Sequence, residues 1–318
     1  MRTELGESAL EYGQVVRKAL EAVGGDELAQ AAAAGAARRA VISAALADLG
    51  TWELDPRSGA DELEAAAAAC RAAGWWAIPY PVAERLARPA GLDVDALAVV
   101  SATRPAVPAA WLDIRLGAVM LDGRRWLAAA ALGGAGPVAG HGSQAGLVTE
   151  LELTAADEDG AGDAPLSLVL AAWTLLGMLD RAMTLTREYV LWREQFGRTL
   201  ASFQSVQFQL TDAEVERAGA EELAKYALWS VQEQRPDALA DALALRLATL
   251  EAADVVFRVA HQLHGAIGFC DEITLSWLSR HSQPLRRLPF GLSASRDQLT
   301  RQIGREGLTE LFSGVGQR

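Results

Sequence analysis

Cysteine is scarce in this chain. Its 318 residues include two cysteines, Cys70 and Cys270, which lie far apart and form no CxxC pair. Neither a disulfide framework nor a four-thiolate metal site can be built from two such residues. This cysteine usage is typical of a protein from a reducing cytoplasm.

Basic charge is also in short supply. Lysine and arginine total 29 against 41 aspartates and glutamates, so the formal net charge is −12. A nucleic-acid partner would require a basic face that neutralises phosphates, and this balance makes such a face hard to build. The composition, 51% hydrophobic and 22% charged, is that of an ordinary globular protein. We therefore expect no nucleic acid among the partners.

The sequence has no apolar run as long as a membrane span. Its longest strongly apolar stretch, residues 166–179, ends at Asp180 and Arg181 after fourteen residues, whereas a spanning helix needs about 20. Residues 1–8 lack the apolar segment of a secretory signal. The sequence thus predicts a cytoplasmic chain without a membrane partner, in which residues 166–179 form a buried helix.

Residues 1–94 predict a helical N-terminal domain. Helical spacing of apolar residues, interrupted by glycines, indicates helices over 8–23, 27–49 and 61–73. Alanine-rich runs inside the second and third of these segments favour helix, and they also allow helices to pack closely.

Residues 95–160 predict a β domain of reduced size. The pair Asp122-Gly123 is a hairpin signal between two of its β-favouring segments. The acidic, glycine-bearing residues 157–165 are typical of a linker. The four predicted strands cover residues 96–101, 113–121, 125–131 and 146–154.

Residues 161–318 predict a C-terminal helical bundle. Apolar residues recur at i, i+3, i+4 and i+7 in four long segments, which is the pattern of antiparallel helices packed together. The fold class is therefore mostly α with a small central β domain. The four predicted bundle helices cover residues 166–192, 205–234, 236–263 and 293–312.

Several common sites are disfavoured by the residues. The loop from Gly134 to Ala139 fits the loose dinucleotide pattern GxGxxA, but Pro137 offers no N–H group and no helix follows. His261 and His264 could face one metal, yet no third ligand lies nearby in the sequence. We predict no metal site, and no GxSxG motif supports nucleophilic hydrolysis.

Two segments of the C-terminal half carry the most specific signal. The first is Arg193-Glu-Gln-Phe-Gly-Arg-Thr-Leu-Ala-Ser-Phe-Gln204, and the second, 262 − 193 = 69 residues later, is Gln262-Leu-His-Gly-Ala-Ile-Gly-Phe-Cys-Asp-Glu272. They resemble the RxxFGxxLxxFQ and QxxGGxGFxxE signatures of the acyl-CoA dehydrogenase family. The resemblance is specific over residues 168–280, extends to the helical N-terminus, and is poor in the middle of the chain.

The resemblance implies an FAD site shared between two subunits. In the family, the arginine-bearing turn meets the pyrophosphate and adenine end of FAD, and the glutamine–glycine turn comes from the neighbouring subunit. A guanidinium can hold a phosphate through charge-assisted hydrogen bonds, each contributing about 1.5–3 kcal/mol. Gly265 would let the backbone approach a ligand. The residues carried over are Arg193, Gln195, Phe196, Leu200 and Gln204 for one half, and Gln262, Gly265 and Ala266 for the other.

The family's catalytic glutamate has no counterpart here. Relatives remove the α-proton of an acyl-CoA thioester with a glutamate at one of two places, which fall on Ser167 and on residues 288–291 of this chain. Neither place holds an acid. The middle segment is also cut down, and Trp126 is at best a remnant of the segment that covers the flavin in relatives. We therefore predict no catalytic residue in this chain.

These departures are similar to those of the shortened subunits of actinobacterial α2β2 acyl-CoA dehydrogenases that degrade steroid and cholesterol side chains. In those complexes a full-length homologous partner supplies the glutamate. The resemblance implies an FAD-dependent dehydrogenase subunit that acts on an acyl-CoA, with a steroid side chain as one candidate acyl group.

Two alternatives stay open at this point. The chain could be a self-sufficient homodimeric dehydrogenase whose base is another acid, such as Asp163, Asp180 or Glu188. It could also be a non-enzymatic scaffold subunit that has lost its half of the flavin site.

Overall fold

Helices from both ends of the chain pack around one another, and a small sheet lies beside them. The computed structural model describes residues 4–131, 148–157 and 159–306. The glycine-rich loop of Gly134–Ala139 and the part of the fourth predicted bundle helix after residue 306 lie outside these ranges.

The N-terminal segment is helical, as predicted, but it contains one more break than the sequence pattern indicates. The predicted helix over 27–49 is two helices, because Gly35 adopts an extended conformation (φ −153°, ψ 132°) between them. The alanine-rich pattern continues through Gly35, so periodicity alone does not reveal the break. The helices are α1 (Glu7–Ala22), α2 (Gly25–Ala34), α3 (Ala36–Ala47), α4 (Ala60–Trp75) and α5 (Val82–Leu86).

A five-stranded sheet follows, in the order β1-β3-β4-β5-β2. Its strands are β1 (Ala96–Val99), β2 (Ala106–Pro108), β3 (Leu116–Val119), β4 (Arg125–Ala130) and β5 (Val148–Ala155). β1 and β3 are parallel, and the other pairs are antiparallel. The hairpin predicted at Asp122-Gly123 is confirmed, since it joins β3 to β4. β2 was not predicted, because its three residues follow Pro105 and end at Pro108. It pairs with β5 at the sheet edge, where proline is tolerated.

The C-terminal segment contains the predicted bundle helices. They are α6 (Asp163–Trp192), α7 (Gln204–Gln232), α8 (Ala238–His264) and α11 (Leu292–Glu306), with the short α9 (Thr274–His281) and α10 (Gln283–Arg287) before the last. The prediction that residues 157–165 form a linker is wrong for residues 163–165, the C-terminal end of that segment. Asp163 already begins α6 and is buried, because its carboxylate pairs with two arginines.

One hydrophobic core joins the two helical segments. Val16 of α1, Leu63 of α4, Trp173 of α6 and Leu243 of α8 are all buried within it. A second cluster, around Trp111, lies on the sheet. We propose that the chain divides near residues 94 and 160, as the sequence predicts, with the helices on either side of the sheet sharing this core.

α6 is the central helix of that core. Among the described helices it alone is long and apolar enough, by length and composition, to cross a membrane, and 61% of its most apolar window is buried inside the protein. It contacts α4, α7 and α8. Its apolar character is therefore that of a core helix surrounded by protein.

α4 and α6 cross at very short distance. Gly74 of α4 faces the carbonyl oxygen of Thr174, and Gly177 of α6 faces that of Arg71; a Cβ on either glycine would lie within 2 Å of that oxygen. The alanines of α4, including Ala66 and Ala69, are buried in the same contact region. The prediction that the alanine-rich runs allow close helix packing is confirmed for α4.

Candidate functional site

The first signature segment forms a tight hairpin where α6 ends. Two short strands, β6 (Glu194–Gln195) and β7 (Arg198–Thr199), pair antiparallel. Phe196 and Gly197 connect them with positive φ angles of 55° and 78°, which is the geometry of a type I′ turn. Phe196 has a side chain in this left-handed conformation and is 91% exposed, so the turn projects an aromatic ring into solvent.

The hairpin returns the chain to the bundle and starts α7. The backbone N–H of Leu200 donates to the carbonyl of Arg193 at 2.8 Å and closes the loop. Leu200 is partly buried and packs against the core. Arg193, Gln195, Phe196 and Gln204 are exposed. The structure therefore gathers all five residues predicted from the first signature into one loop at the end of α6.

The second signature segment ends α8 at Gly265. Gly265 has φ 64° and ψ −145°, a conformation that residues with a Cβ rarely adopt. No atom lies within 4 Å of the position that its Cβ would occupy. Gln262 and Ala266 are exposed on either side. The turn thus offers an open stretch of backbone that a ligand could approach.

An aromatic stack holds the two segments at the same end of the bundle. Tyr189, four residues before Arg193 on α6, stacks on His264 of α8 with ring centroids 4.3 Å apart. Trp192 packs edge-on against the same tyrosine. Burial lowers the pKa of His264, which keeps the imidazole neutral for this stacking. The eight residues predicted from the two signatures consequently lie on neighbouring turns.

The histidines near this site serve in packing. His261 stacks on Phe269 while His264 stacks on Tyr189, so the two rings are engaged with different partners. Within the part of the chain that the structure describes, no group of three or more histidine, cysteine, aspartate or glutamate side chains could hold a metal ion.

The polar side chains of the two turns are available for a ligand. Among the described residues, the guanidinium of Arg193 makes no hydrogen bond or ion pair, and neither do the amides of Gln195, Gln204 and Gln262. Within the described residues, Arg193 therefore pairs with no carboxylate of its own chain. A free guanidinium beside an open backbone turn fits a phosphate-bearing cofactor such as FAD.

Large apolar side chains are exposed around these turns. Leu191 and Trp192 end α6, Phe208 lies in the second turn of α7, and Ile267 and Phe269 follow Gly265. Together with Phe196 they form what we call the aromatic end. Exposed apolar groups at this density mark an interaction surface.

The two places that hold the base in relatives meet in one small cavity. Ser167 of α6 and Leu288 with Pro289, after α10, line a cavity of about 40 Å³. The Ser167 hydroxyl is buried without a hydrogen-bonding partner among the described residues. Arg246 of α8 donates to the carbonyls of Leu288 and Phe290 and holds this segment in place. The cavity has room for one or two water molecules, and no room for an acyl chain.

An acid that the signature comparison missed lines the same cavity. Glu84 of α5 is buried, and burial raises the pKa of its carboxyl to about 8. Glu84 lies 83 residues before Ser167 in the sequence, in a five-residue helix with no helical periodicity to mark it. A lone glutamate among the apolar residues after Pro81 was the available signal.

Replacing Glu84 by glutamine is expected to change how stability depends on pH. The unfolded carboxyl releases its proton near pH 4.5, whereas the folded one retains it to about pH 8. The free energy of unfolding should therefore fall as the pH rises between these values. Glu84→Gln removes this fall, and near pH 8 the variant should be more stable than the parent by about 2–4 kcal/mol.

Urea unfolding at pH 5, 6.5 and 8 measures this difference. Glu216→Gln, at an exposed position of α7, is the matched control and should follow the parent curve. If the Glu84→Gln and parent stabilities run parallel across this range, the proposed protonation of the buried carboxyl is wrong.

The other candidate acids are committed to ion pairs or exposed. Asp163 pairs with Arg57 and Arg125. Asp180 pairs with Arg71 and Arg217. Burial acts to raise the pKa of Glu221, but hydrogen bonds from the same two arginines outweigh this effect and lower that pKa to about 2. Glu188 lies exposed on α6. None of these three candidates, Asp163, Asp180 or Glu188, lines the cavity of Ser167.

Sequence comparison finds a matching family model and several curated relatives. Residues 169–291 match the family model of the acyl-CoA dehydrogenase C-terminal domain. The chain is 31% identical over 181 residues to acyl-CoA dehydrogenase FadE27 of Mycobacterium tuberculosis, covering 51% of this chain and 47% of that protein. It is 35% identical over 100 residues to the short-chain acyl-CoA dehydrogenase of Megasphaera elsdenii, covering 30% and 25%. The chain thus matches less than half the length of these curated relatives.

Solved structures share the fold over nearly the whole chain. The ChsE4-ChsE5 complex from Mycobacterium tuberculosis contains a chain with a TM-score of 0.74 at 20% identity, covering 96% of this chain and 99% of that one. A variant of the Tcur3481-Tcur3483 steroid ACAD has a TM-score of 0.74 at 19% identity, covering 95% and 99%. Butyryl-CoA dehydrogenase from Megasphaera elsdenii has a TM-score of 0.66 at 15% identity, covering 96% and 100%.

Proposed function

Because this chain belongs to the acyl-CoA dehydrogenase family, we propose that it is a subunit of an FAD-dependent acyl-CoA dehydrogenase and completes the FAD site of a catalytic partner chain. The reaction would be α,β-dehydrogenation of an acyl-CoA thioester. When bound, FAD supplies the acceptor for the hydride that leaves the β-carbon.

The observation that carries this proposal is the exposed Arg193 guanidinium, which has no hydrogen-bonding or ion-pair partner among the described residues and lies at the same end of the bundle as the Gly265 turn. Arg193 would hold a pyrophosphate oxygen pair, with Gln195, Phe196, Leu200 and Gln204 around it. The Gln262, Gly265 and Ala266 turn would offer its backbone to an FAD across the subunit boundary. The Tyr189 and His264 stack keeps both turns of this chain at the same end of the bundle, so both would lie at one subunit boundary.

A homologous full-length chain is the proposed partner. The aromatic end needs a cover, and the cavity at Ser167 is too small for an acyl chain. A partner that supplies the glutamate and the acyl pocket would meet both requirements. ChsE4-ChsE5 is a complex and Tcur3481-Tcur3483 is a steroid ACAD, and these two similar structures support our proposal of an α2β2 heterotetramer with a steroid side chain as the acyl group. Cys70 and Cys270 are unpaired, in keeping with a cytoplasmic complex.

Flavin content per chain tests the division of labour. Expressed alone, this chain should retain little FAD. Co-expressed with a full-length homologous partner chain, it should yield a yellow complex that oxidises acyl-CoA. A lone chain that holds stoichiometric FAD and turns over substrate would contradict the proposal.

Within that complex, Arg193→Ala should weaken FAD binding roughly ten- to hundredfold, since one charge-assisted hydrogen bond to phosphate contributes about 1.5–3 kcal/mol. Fluorescence titration of the apo complex with FAD measures the change. Arg104→Ala, which removes an exposed ion pair on the sheet, is the matched control and should bind FAD as the parent does. If Arg193→Ala leaves both FAD affinity and activity unchanged, the scaffold alternative is correct instead.

A second candidate function is favoured by Glu84. In a self-sufficient dehydrogenase, the buried carboxyl of Glu84 would be the base, and the acyl-CoA would have to open the small cavity that Glu84 lines with Ser167 and Leu288. Its pKa of about 8 lies in the range that general bases use. Single-turnover flavin reduction separates the two functions: Glu84→Gln should abolish reduction if this chain supplies the base, and should leave it intact if the partner does.

A further inference from the structure

We propose that a cavity at the opposite end of α6 from the flavin turns binds an organic anion, a small carboxylate or phosphate carried on an apolar body. The cavity lies between the loop at Arg57, the start of α6 and the turn from α7 to α8. α6 has 30 residues, which makes it about 45 Å long. The site is therefore separate from the Arg193 turn, and the inference does not depend on the proposed flavin function.

The polar groups that line the cavity favour a negative charge. Two arginines, Arg57 and Arg235, and two glutamines, Gln232 and Gln234, are among the lining residues, and no described lining residue is acidic. Arg57 is held rigidly, since it donates to Asp163 and to the carbonyls of Ala87 and Arg88.

Arg235 is the lining arginine whose Nε lacks an acceptor among the described residues. This Nε is buried, and the guanidinium lies 5.3 Å from the ring centroid of Trp229. Of the nearby carboxylates, Asp241 accepts the Ser230 hydroxyl at 2.5 Å, and Asp237 is not among the lining residues. A buried donor without an acceptor is unfavourable, and an anion in the cavity would remove that penalty.

The rest of the lining is apolar and specifies the body of the ligand. The volume of the cavity, about 430 Å³, lies within the range of small-molecule sites. A bare inorganic ion would leave the apolar wall in contact with water, whereas an anion with an alkyl or aromatic body would cover it. The apolar lining residues include Pro56, Pro165, Leu166, Val231, Ala238 and Leu239.

The turn that presents Arg235 is fixed by its backbone. The Gln234 N–H donates to the Val231 carbonyl, and the Arg235 N–H donates to that of Ser230. Gln234 adopts a left-handed φ of 48°, a conformation that is uncommon for a residue with a Cβ and that places Arg235 at the cavity. The cation is consequently preorganised, which lowers the entropic penalty of binding.

Isothermal titration of the full-length chain with four eight-carbon probes tests the proposal. Octanoate and octyl phosphate carry the two anionic head groups, octanol carries none, and octylamine is cationic. One or both anions should bind at least tenfold more tightly than octanol and octylamine, and the tighter of the two identifies the head group. Equal binding of octanol, or no binding of either anion, would overturn the inference.

Variants locate the binding in this cavity. Arg235→Gln should weaken anion binding at least tenfold. Leu239→Trp fills the cavity and should abolish anion binding, and it provides an independent test if Arg235→Gln folds poorly. Arg280→Gln, at an exposed ion pair with Asp271, is the matched control and should bind as the parent does. Unchanged affinity in both cavity variants would refute the site. FAD content of the complex should be unaffected by either, so the two proposals fail independently.

Discussion

Gly177→Ala is expected to destabilise the protein by about 3 kcal/mol or more, because the contact between α4 and α6 has no space for a methyl group. The added Cβ would lie 1.9 Å from the Arg71 carbonyl oxygen and 2.9 Å from the backbone nitrogen of Trp75. Both of these atoms belong to the α4 backbone and cannot rotate away. The two helices would have to separate, and buried side chains along both of them would lose contact.

The same substitution at Gly219 provides the control. Gly219 lies inside α7 at an exposed position, with no atom within 4 Å of the position of a Cβ. Alanine there should raise stability by up to about 1 kcal/mol through its higher helix propensity. Urea unfolding monitored by circular dichroism measures both. If the two glycine variants shift the midpoint in the same direction, the close helix contact does not exist as described.

Asp163→Asn should destabilise the protein by about 3–5 kcal/mol, since it removes a buried charge, takes the carboxylate from Arg57 and leaves Arg125 only its longer pair with Asp157. The Asp163 side chain is 4% exposed and accepts from Arg57 at 2.6 Å and from Arg125 at 2.7 Å. Arg57 lies in the loop before α4, Arg125 begins β4 and Asp163 begins α6. A single carboxylate thus connects the N-terminal helices, the sheet and the bundle.

Glu150→Gln is the matched control for that experiment. It neutralises a carboxylate that also pairs with an arginine, Arg104, but both side chains are exposed. Solvent screens such a pair, so the change should be below about 1 kcal/mol. Equilibrium unfolding in urea at low and high salt compares the two variants. An Asp163→Asn protein as stable as Glu150→Gln would show that the three-way ion pair contributes little.

Part of the candidate site was predictable because its signals are local. The RxxFGxxLxxFQ segment specifies a helix end, a tight turn and a new helix within twelve residues, and Gly265 marks the end of another helix. Local propensities decide such features, and the structure places all eight predicted residues on the two turns. Their contact with FAD stays a prediction.

Other parts depend on residues far apart in the chain. Helical periodicity did not show the break at Gly35 or the short strand β2. The sequence also did not indicate that Asp163 and Asp180 form ion pairs with arginines. Asp163, for example, pairs with Arg57, which is 106 residues away. Ion pairs over such sequence separations depend on how the helices and strands pack, and the local residue pattern does not predict them.

The sequence by itself determined the helical class, the positions of the two signature turns, and the lack of an acid at Ser167 and at residues 288–291. These follow from residue identity and from spacing along one helix or one turn. Only the tertiary structure decided which charges stay free. Packing pairs Asp163 and Asp180 with arginines, leaves the Arg193 guanidinium and the Arg235 Nε without an acceptor among the described residues, and brings Glu84 to the cavity beside Ser167. The reason is that the energy of a charge depends on its neighbours in space, which the chain acquires only when it folds.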